Sequence, residues 1–203
     1  MISLSKYLSK QFTVAGTSSK KILLFDVDDT LINTTARIGI AKDEQIIKWI
    51  SNSEFNDYHL GRGESFDFRE FNSKKILNKE TFTKYWNTLK REYNKGTHIG
   101  IITARSIGNE IRKFFLRNGI DIKKELVFAV GDPKYPFQGT IQQKKAQTIE
   151  LLSKLGYNTF VFFDDNEDNL KQAKQLEHKL NIKVNIVKVQ KNLFSCDLTK
   201  DLF

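Results

Sequence analysis

Five short apolar runs alternate with stretches of helical spacing, and nothing else in the chain restricts its fold so tightly. The runs are Lys21–Val27 (KILLFDV), Thr97–Thr103 (THIGIIT), Glu125–Val130 (ELVFAV), Thr159–Phe163 (TFVFF) and Ile182–Val189 (IKVNIVKV). A continuous apolar run of this length reads as a strand covered on both faces. Between the runs, Lys79–Asn94 sets Phe82, Tyr85, Trp86, Leu89 and Tyr93 at helical spacing. Ser106–Asn118 does the same with Ile107, Ile111, Phe114 and Phe115, then stops at Asn118-Gly119, a helix C-terminal signal. Gln142–Leu155 ends at Gly156, and Asn166–Leu180 carries Leu170, Ala173 and Leu176. Strands alternating with helices of this length predict an α/β fold: a mainly parallel five-stranded sheet with helices on both faces. In such sheets a ligand site lies beyond the carboxyl ends of the strands.

One stretch breaks the alternation. Residues 33–78 separate the first strand from the next clear core helix, and predict a small insertion over that strand's end. Within it, Asp43–Ile50 (DEQIIKWI) reads as a helix, followed by irregular aromatic and polar sequence. Phe55, Tyr58, Phe66, Phe68 and Phe71 would form the insertion's own small core or stack on a base. At the other end, residues 1–19 hold no acid and five serines, with Ile2, Leu4, Leu8 and Phe12 spaced for a short amphipathic helix. They read as a leader: a packed arm, or a docking or targeting peptide with a protein partner. The remainder, 20–203, is one domain by length. No apolar run approaches the roughly 20 residues that span a bilayer. The single cysteine, Cys196, rules out an internal disulfide and cysteine-based zinc. A reducing, cytoplasmic setting is expected, that of the host cell or virion if the protein is viral.

The chain is basic, with a formal charge of +9, yet seven of its 24 acids crowd into two clusters. Asp26, Asp28 and Asp29 follow the first apolar run; Asp164, Asp165, Glu167 and Asp168 follow the fourth. Crowded carboxylates repel unless a positive charge sits among them, most often a metal ion. The two clusters together supply the hard oxygen ligands that Mg²⁺ takes alongside water and substrate phosphate. Residues two apart at a strand end point to one side, so Asp26 and Asp28 share a site. One carboxylate can attack phosphorus, and a second can give and take back a proton. Thr103 ends the second strand, where its hydroxyl could hold a phosphoryl oxygen, or Thr103 or Ser106 could simply cap the next helix. Lys144 and Lys145 open the helix before the fourth strand, where a lysine can neutralise a nucleophile and a transferring phosphoryl group.

Asp-x-Asp-x-Thr, then Thr103, then Lys145, then Asp164-Asp165, in that order at successive strand or helix ends, resembles the haloacid dehalogenase superfamily of aspartate-dependent phosphohydrolases. The likeness covers residues 20–190. It implies a Rossmann-like core with a small cap at about 33–78, Asp26 as nucleophile and Asp28 as general acid and base. It also implies phosphoryl binding by Thr103 and Lys145. Mg²⁺ would be held by the Asp26 carboxylate, the Asp28 carbonyl and Asp165, with Asp164 orienting the lysine or a metal-bound water. Asp28 points to phosphatase rather than dehalogenase chemistry. Asn169 stands where some members carry a further acid. GESFDFREFN, IITARS, VFAVGDP and FFDDNEDNL are similar to small proteins of this type in phages and some bacteria, and Thr103-Ala104-Arg105 to the phosphatase domain of polynucleotide kinase/phosphatases.

The expected function is Mg²⁺-dependent cleavage of phosphomonoesters, on nucleotides or nucleic-acid 3′ ends, with Arg105 touching substrate. A polyanionic partner would suit the basic stretches at Lys74, Lys75, Lys79 and Lys84, at Arg112, Lys113 and Arg117, and at Lys171, Lys174, Lys179 and Lys183. Solvated helix faces would explain them equally. The alternative function is a structural or binding protein of this fold, virion- or nucleic-acid-associated, docked through its N-terminal arm.

Overall fold

The computed structural model describes residues 20–55 and 57–190. The readings of residues 1–19 and of Cys196 concern chain outside that range. Strand β1 (Lys20–Phe25) is the middle of a five-stranded sheet. β7 (His98–Thr103) and then β8 (Val127–Ala129) lie on one side of it; β9 (Tyr157–Asp164) and then β10 (Lys183–Lys188) lie on the other. Every neighbouring pair is parallel. After two short helices, α1 (Asn52–Phe55) and α2 (Lys74–Leu77), the sheet is flanked by helices α3 (Lys84–Asn94), α4 (Gly108–Arg117), α5 (Ile141–Lys154), α6 (Glu167–Lys174) and α7 (Leu176–Leu180). This is the α/β, Rossmann-like arrangement that the apolar runs predict.

The runs are continuous because both faces of the sheet are covered. Ile22, Leu24 and Phe25 are fully buried, as are Ile101, Ile102, Phe160 and Phe162. Helix residues Phe115, Ile149, Leu152 and Leu170 close over them in one core. The Phe25 and Phe163 rings stack at 4.4 Å beneath the two acid clusters, joining the strands that carry them. Among the described residues, no helix is long and apolar enough to cross a membrane.

The insertion is β-rich, which corrects the helix expected at Asp43–Ile50. β3 (Ile38–Lys42) and β4 (Gln45–Ile50) form an antiparallel hairpin, and β5 (Glu64–Asp67) pairs with the other edge of β3. The two-residue turn sets Asp43 at φ 50° and Glu44 at φ 64°, the left-handed pair that matches strand twist. Short apolar stretches such as Ile46–Ile50 satisfy helix and strand spacing alike, and the pairing partner decides between them. Phe55, Tyr58, Phe66 and Phe71 pack on Ile38, Ile40 and Ile50, giving the insertion a core of its own. A two-residue ladder, β2 (Ile32–Asn33) with β6 (Thr81–Phe82), closes its neck.

That ladder also explains why α3 begins at Lys84 and not near Lys79. Residues 81–82 are drawn into pairing, and the Thr83 side chain caps the helix by accepting from Tyr85 N–H. The stretch expected as one helix from Asn166 to Leu180 is two, α6 and α7, separated at Gln175. No glycine or proline marks the break, so periodicity runs straight through it.

Candidate active site

At the end of β1 the chain turns sharply around Val27, whose carbonyl accepts from Leu31 N at 2.9 Å and Ile32 N at 3.1 Å. The turn leaves Asp26 and Asp28 facing one cavity. Asp29 sits in the left-handed region at φ 55°, a conformation that aspartate tolerates better than most residues. Its carboxylate accepts from Thr34 N and, at 2.8 Å, from Asn52 Nδ2, and so anchors the insertion.

Helix α5 is started by a capping box, Thr140 with Gln143, and its rotation is set by burial of Ala146, Ile149 and Leu152 in the core. Lys145 consequently points inward, and its Nζ donates to Asp26 Oδ1 at 2.7 Å and to Asp164 Oδ2 at 2.7 Å. Lys144 points elsewhere and donates to the Val130 carbonyl at 3.3 Å. Asp26 and Asp164 come from strands about 140 residues apart in sequence, and the parallel pairing of β1 with β9 places them side by side. Asp165 lies next to them. One oxygen from each of Asp26, Asp164 and Asp165 lies within 4.8 Å of the others.

The electrostatics follow from burial. Asp26 is held well above the ordinary carboxylate range: burial is the main cause, Lys145 pulls it back, and Asp164 pushes it further. Burial, then Asp164 and Asp29, push Asp165 up to about 6. For Lys145 burial is the largest influence and opposes its charge, but Asp164 and Asp26 outweigh it and leave the ammonium raised. Three carboxylates therefore share one ammonium in a dry place, which invites a further cation.

Asn169 supplies a second sign of one. It is 6% exposed, and its Nδ2 donates to both Asp164 oxygens at 2.9 and 3.0 Å. Its Oδ1 is buried with no hydrogen-bond partner among the described residues, and the residue lines the same cavity. A buried amide oxygen beside three carboxylates fits a hard divalent cation or one of its waters. Sequence reading noted Asn169 only as the absence of an acid. The available signal was its place on the first turn of α6, which Asn166 caps by accepting from Asp168 N and Asn169 N.

Arg105 has a fully buried side chain. Its Nε donates to Asp28 Oδ2 at 2.9 Å and its Nη2 to Asp28 Oδ1 at 2.6 Å. Nη1 donates to the Phe71 carbonyl at 2.9 Å, and Nη2 also reaches Thr34 Oγ1 at 3.3 Å. Sequence reading gives Arg105 to the substrate. In the folded chain its hydrogen bonds orient Asp28 and tie the insertion to the core. Thr103 is likewise buried, and its hydroxyl accepts from Arg105 N at 3.2 Å, a local turn contact and not a helix cap. Helix α4 starts only at Gly108, beyond Ser106, whose hydroxyl donates to Asn72 Oδ1 at 2.6 Å.

The cavity holds about 470 Å³. Its floor is Asp26, Asp28, Lys145 and Asp165; Phe55, Phe68, Phe71 and Ile38 of the insertion form one wall; Ile141, Gln142 and Asn169 form another. A separate groove of about 520 Å³ beyond Ser106, along α4 and β8, contains none of the floor residues. Gly131 separates two loops at the cavity edge, and a Cβ there would lie 1.8 Å from the Ala104 carbonyl oxygen. Gly131→Ala must push the Thr103–Arg105 turn aside. We expect it to cost roughly 1–3 kcal/mol in urea unfolding, where an exposed Gly→Ala change would be near neutral.

No protein-family model matches the chain, and no curated protein matches it.

Proposed function

We propose that this chain is a phosphohydrolase of the haloacid dehalogenase type, hydrolysing phosphomonoesters through an aspartyl-phosphate, with the β-rich insertion as a small cap. The observation that carries the reading is the buried Lys145 ammonium 2.7 Å from carboxylates of two remote segments, on the floor of a ligand-sized cavity. A cluster of this kind costs folding free energy, and phosphoryl transfer gives it a use.

Asp26 Oδ1 is held by Lys145, while its Oδ2 makes no hydrogen bond among the described residues. In the first step an Asp26 oxygen attacks phosphorus, the phosphorus–ester oxygen bond breaks, and the leaving oxygen takes a proton from the Asp28 carboxyl. In the second step water attacks phosphorus and gives its proton to Asp28. The acyl-phosphate bond breaks and the Asp26 carboxylate returns with inorganic phosphate. Arg105 fixes the orientation of Asp28, and Lys145 offsets charge on the nucleophile and the phosphoryl oxygens. Asp26, Asp165 and Asp164, with Asn169 Oδ1 alongside, suit Mg²⁺, which when bound supplies positive charge to a phosphoryl group.

The direct test is phosphate release from p-nitrophenyl phosphate with Mg²⁺; inert protein across a panel of phosphomonoesters and divalent cations would defeat the proposal. Binding has its own readout. Mg²⁺ at about 100 times its dissociation constant should raise the melting temperature by roughly 5–10 °C. Asp165→Asn should lose most of that rise, and an equal rise in the variant would take Asp165 out of the ion site.

A further inference from the structure

The cavity above the carboxylates has a composition of its own, and this inference rests on the hydrolase reading for the position of the phosphate. Phe55, Phe68 and Phe71 form one aromatic wall, with Phe55–Phe68 and Phe68–Phe71 meeting edge-on at 5.7 and 6.3 Å. Phe68 keeps 43% of its surface exposed although the insertion has a core to bury it in. An exposed ring beside a polar floor offers an apolar face to something flat.

The same walls carry amides with spare hydrogen-bonding capacity. Asn72 Oδ1 accepts from Ser106, and its NH₂ has no partner among the described residues. Asn52 Nδ2 donates to Asp29, which leaves its Oδ1 without one among them. The side-chain amide of Gln142 makes no hydrogen bond among the described residues and offers both a donor and an acceptor. A flat body with apolar faces and an edge of mixed donors and acceptors answers to all of this. A sugar or glycerol phosphate would set hydroxyls against the rings. A phenyl phosphate would leave the amides unanswered.

Charge limits the ligand further. Among the described residues lining the cavity, Lys145 is the lone cation, and it is engaged by Asp26 and Asp164. Grooves that follow a nucleic-acid strand need several cations along the backbone. Part of the basic stretches read from the sequence is paired with acids in place: Lys113 with Glu110, Lys171 with Glu167, Lys174 with Glu177 and Arg112 with Asp121. We propose that the ligand is a single nucleoside monophosphate, its phosphate at Asp26 and Lys145 and its base on Phe68 with the edge toward Asn72 and Gln142.

Two measurements test this. The first needs no chemistry: saturation-transfer NMR on the full chain with adenosine, cytidine, guanosine and thymidine. Base-proton signals are expected with wild-type protein and should fall strongly with Phe68→Ala, which removes a half-exposed ring. No transfer from any nucleoside, or transfer equal in the variant, overturns the proposal. The second compares kcat/KM for 5′- and 3′-nucleoside monophosphates with that for glycerol phosphate. The preference for nucleotide should drop about tenfold or more in Phe68→Ala, the size of one lost base–aromatic stack. Equal kcat/KM for glycerol phosphate and nucleotides would remove the base site and leave the hydrolase. Nucleoside binding that depends on Phe68, without hydrolysis of any phosphomonoester, would remove the hydrolase and leave the base site. Better turnover of a 3′-phosphorylated oligonucleotide than of the mononucleotide overturns the restriction to single nucleotides.

Discussion

Asp26→Asn is expected to lower phosphate release from p-nitrophenyl phosphate by about 10⁴-fold or more without unfolding the protein. An amide has the shape of the carboxylate but cannot form the acyl-phosphate bond. The stability side of the prediction separates this from a structural role. Burial and Asp164 hold the Asp26 carboxyl well above its usual range, so the native environment disfavours its charge. Lys145 retains Asp164 at 2.7 Å after the change. Replacing Asp26 with a neutral amide therefore costs little stability in metal-free protein, and the melting temperature should stay within a few degrees of wild type or rise. An inactive variant that has also lost its cooperative transition would show that Asp26 is needed for folding instead. An active variant would exclude Asp26 as the nucleophile.

Lys145→Met should be the most destabilising single change in the site. The ammonium is 2% exposed and is the hydrogen-bond partner of two carboxylates that are themselves buried. Removing one partner of a buried ionic cluster leaves the other charges uncompensated, at a cost of about 3–5 kcal/mol. In a domain of this size that is a fall in melting temperature on the order of 10 °C. Divalent cation should restore part of the loss, because it brings positive charge back to the same oxygens. Lys144→Met is the control. Its Nζ makes one 3.3 Å contact with a backbone carbonyl, and its loss should be within about 1 kcal/mol. Equal melting temperatures for the two variants would mean that Lys145 does not neutralise the cluster.

The strands of the main sheet were legible because a strand covered on both faces has to be apolar along its whole length. Ile22, Leu24, Phe160 and Phe162 have no exposed surface, and no polar residue could replace them cheaply. The insertion was poorly legible for the opposite reason. Its sheet is small, half-exposed and held by pairing, so Gln45–Ile50 carries no pattern that excludes a helix. Glu44 is an unusual residue for a turn with positive φ at both positions, and the usual Asn-Gly or Asp-Gly signal is missing.

In the site, residue types were legible where chemistry restricts them. Asp26, Asp28, Lys145, Asp164 and Asp165 are charged groups next to apolar strands, an expensive location that draws notice in a sequence. Asn169, Asn72, Gln142 and the partners of Arg105 carry no such mark. An asparagine on a helix or an arginine after a strand is ordinary until its neighbours are known. Arg105 shows this most plainly. Its sequence position, two residues past Thr103, suits substrate contact, while its hydrogen bonds go to Asp28, Thr34 and the Phe71 carbonyl, from segments 34 to 77 residues away.

Local sequence alone settled the class of fold, the strand ends and the residue types able to carry charge there, since those depend on hydrophobic period and on the cost of burying carboxylates. The resemblance already preferred Lys145 to Lys144; the seating of its ammonium between Asp26 and Asp164, the pairing of Arg105 with Asp28, and the placing of aromatic rings in the cavity were decided only by tertiary packing. Each of these depends on the rotation of a helix or the register of a strand against a distant partner, and a short stretch of chain does not hold that information.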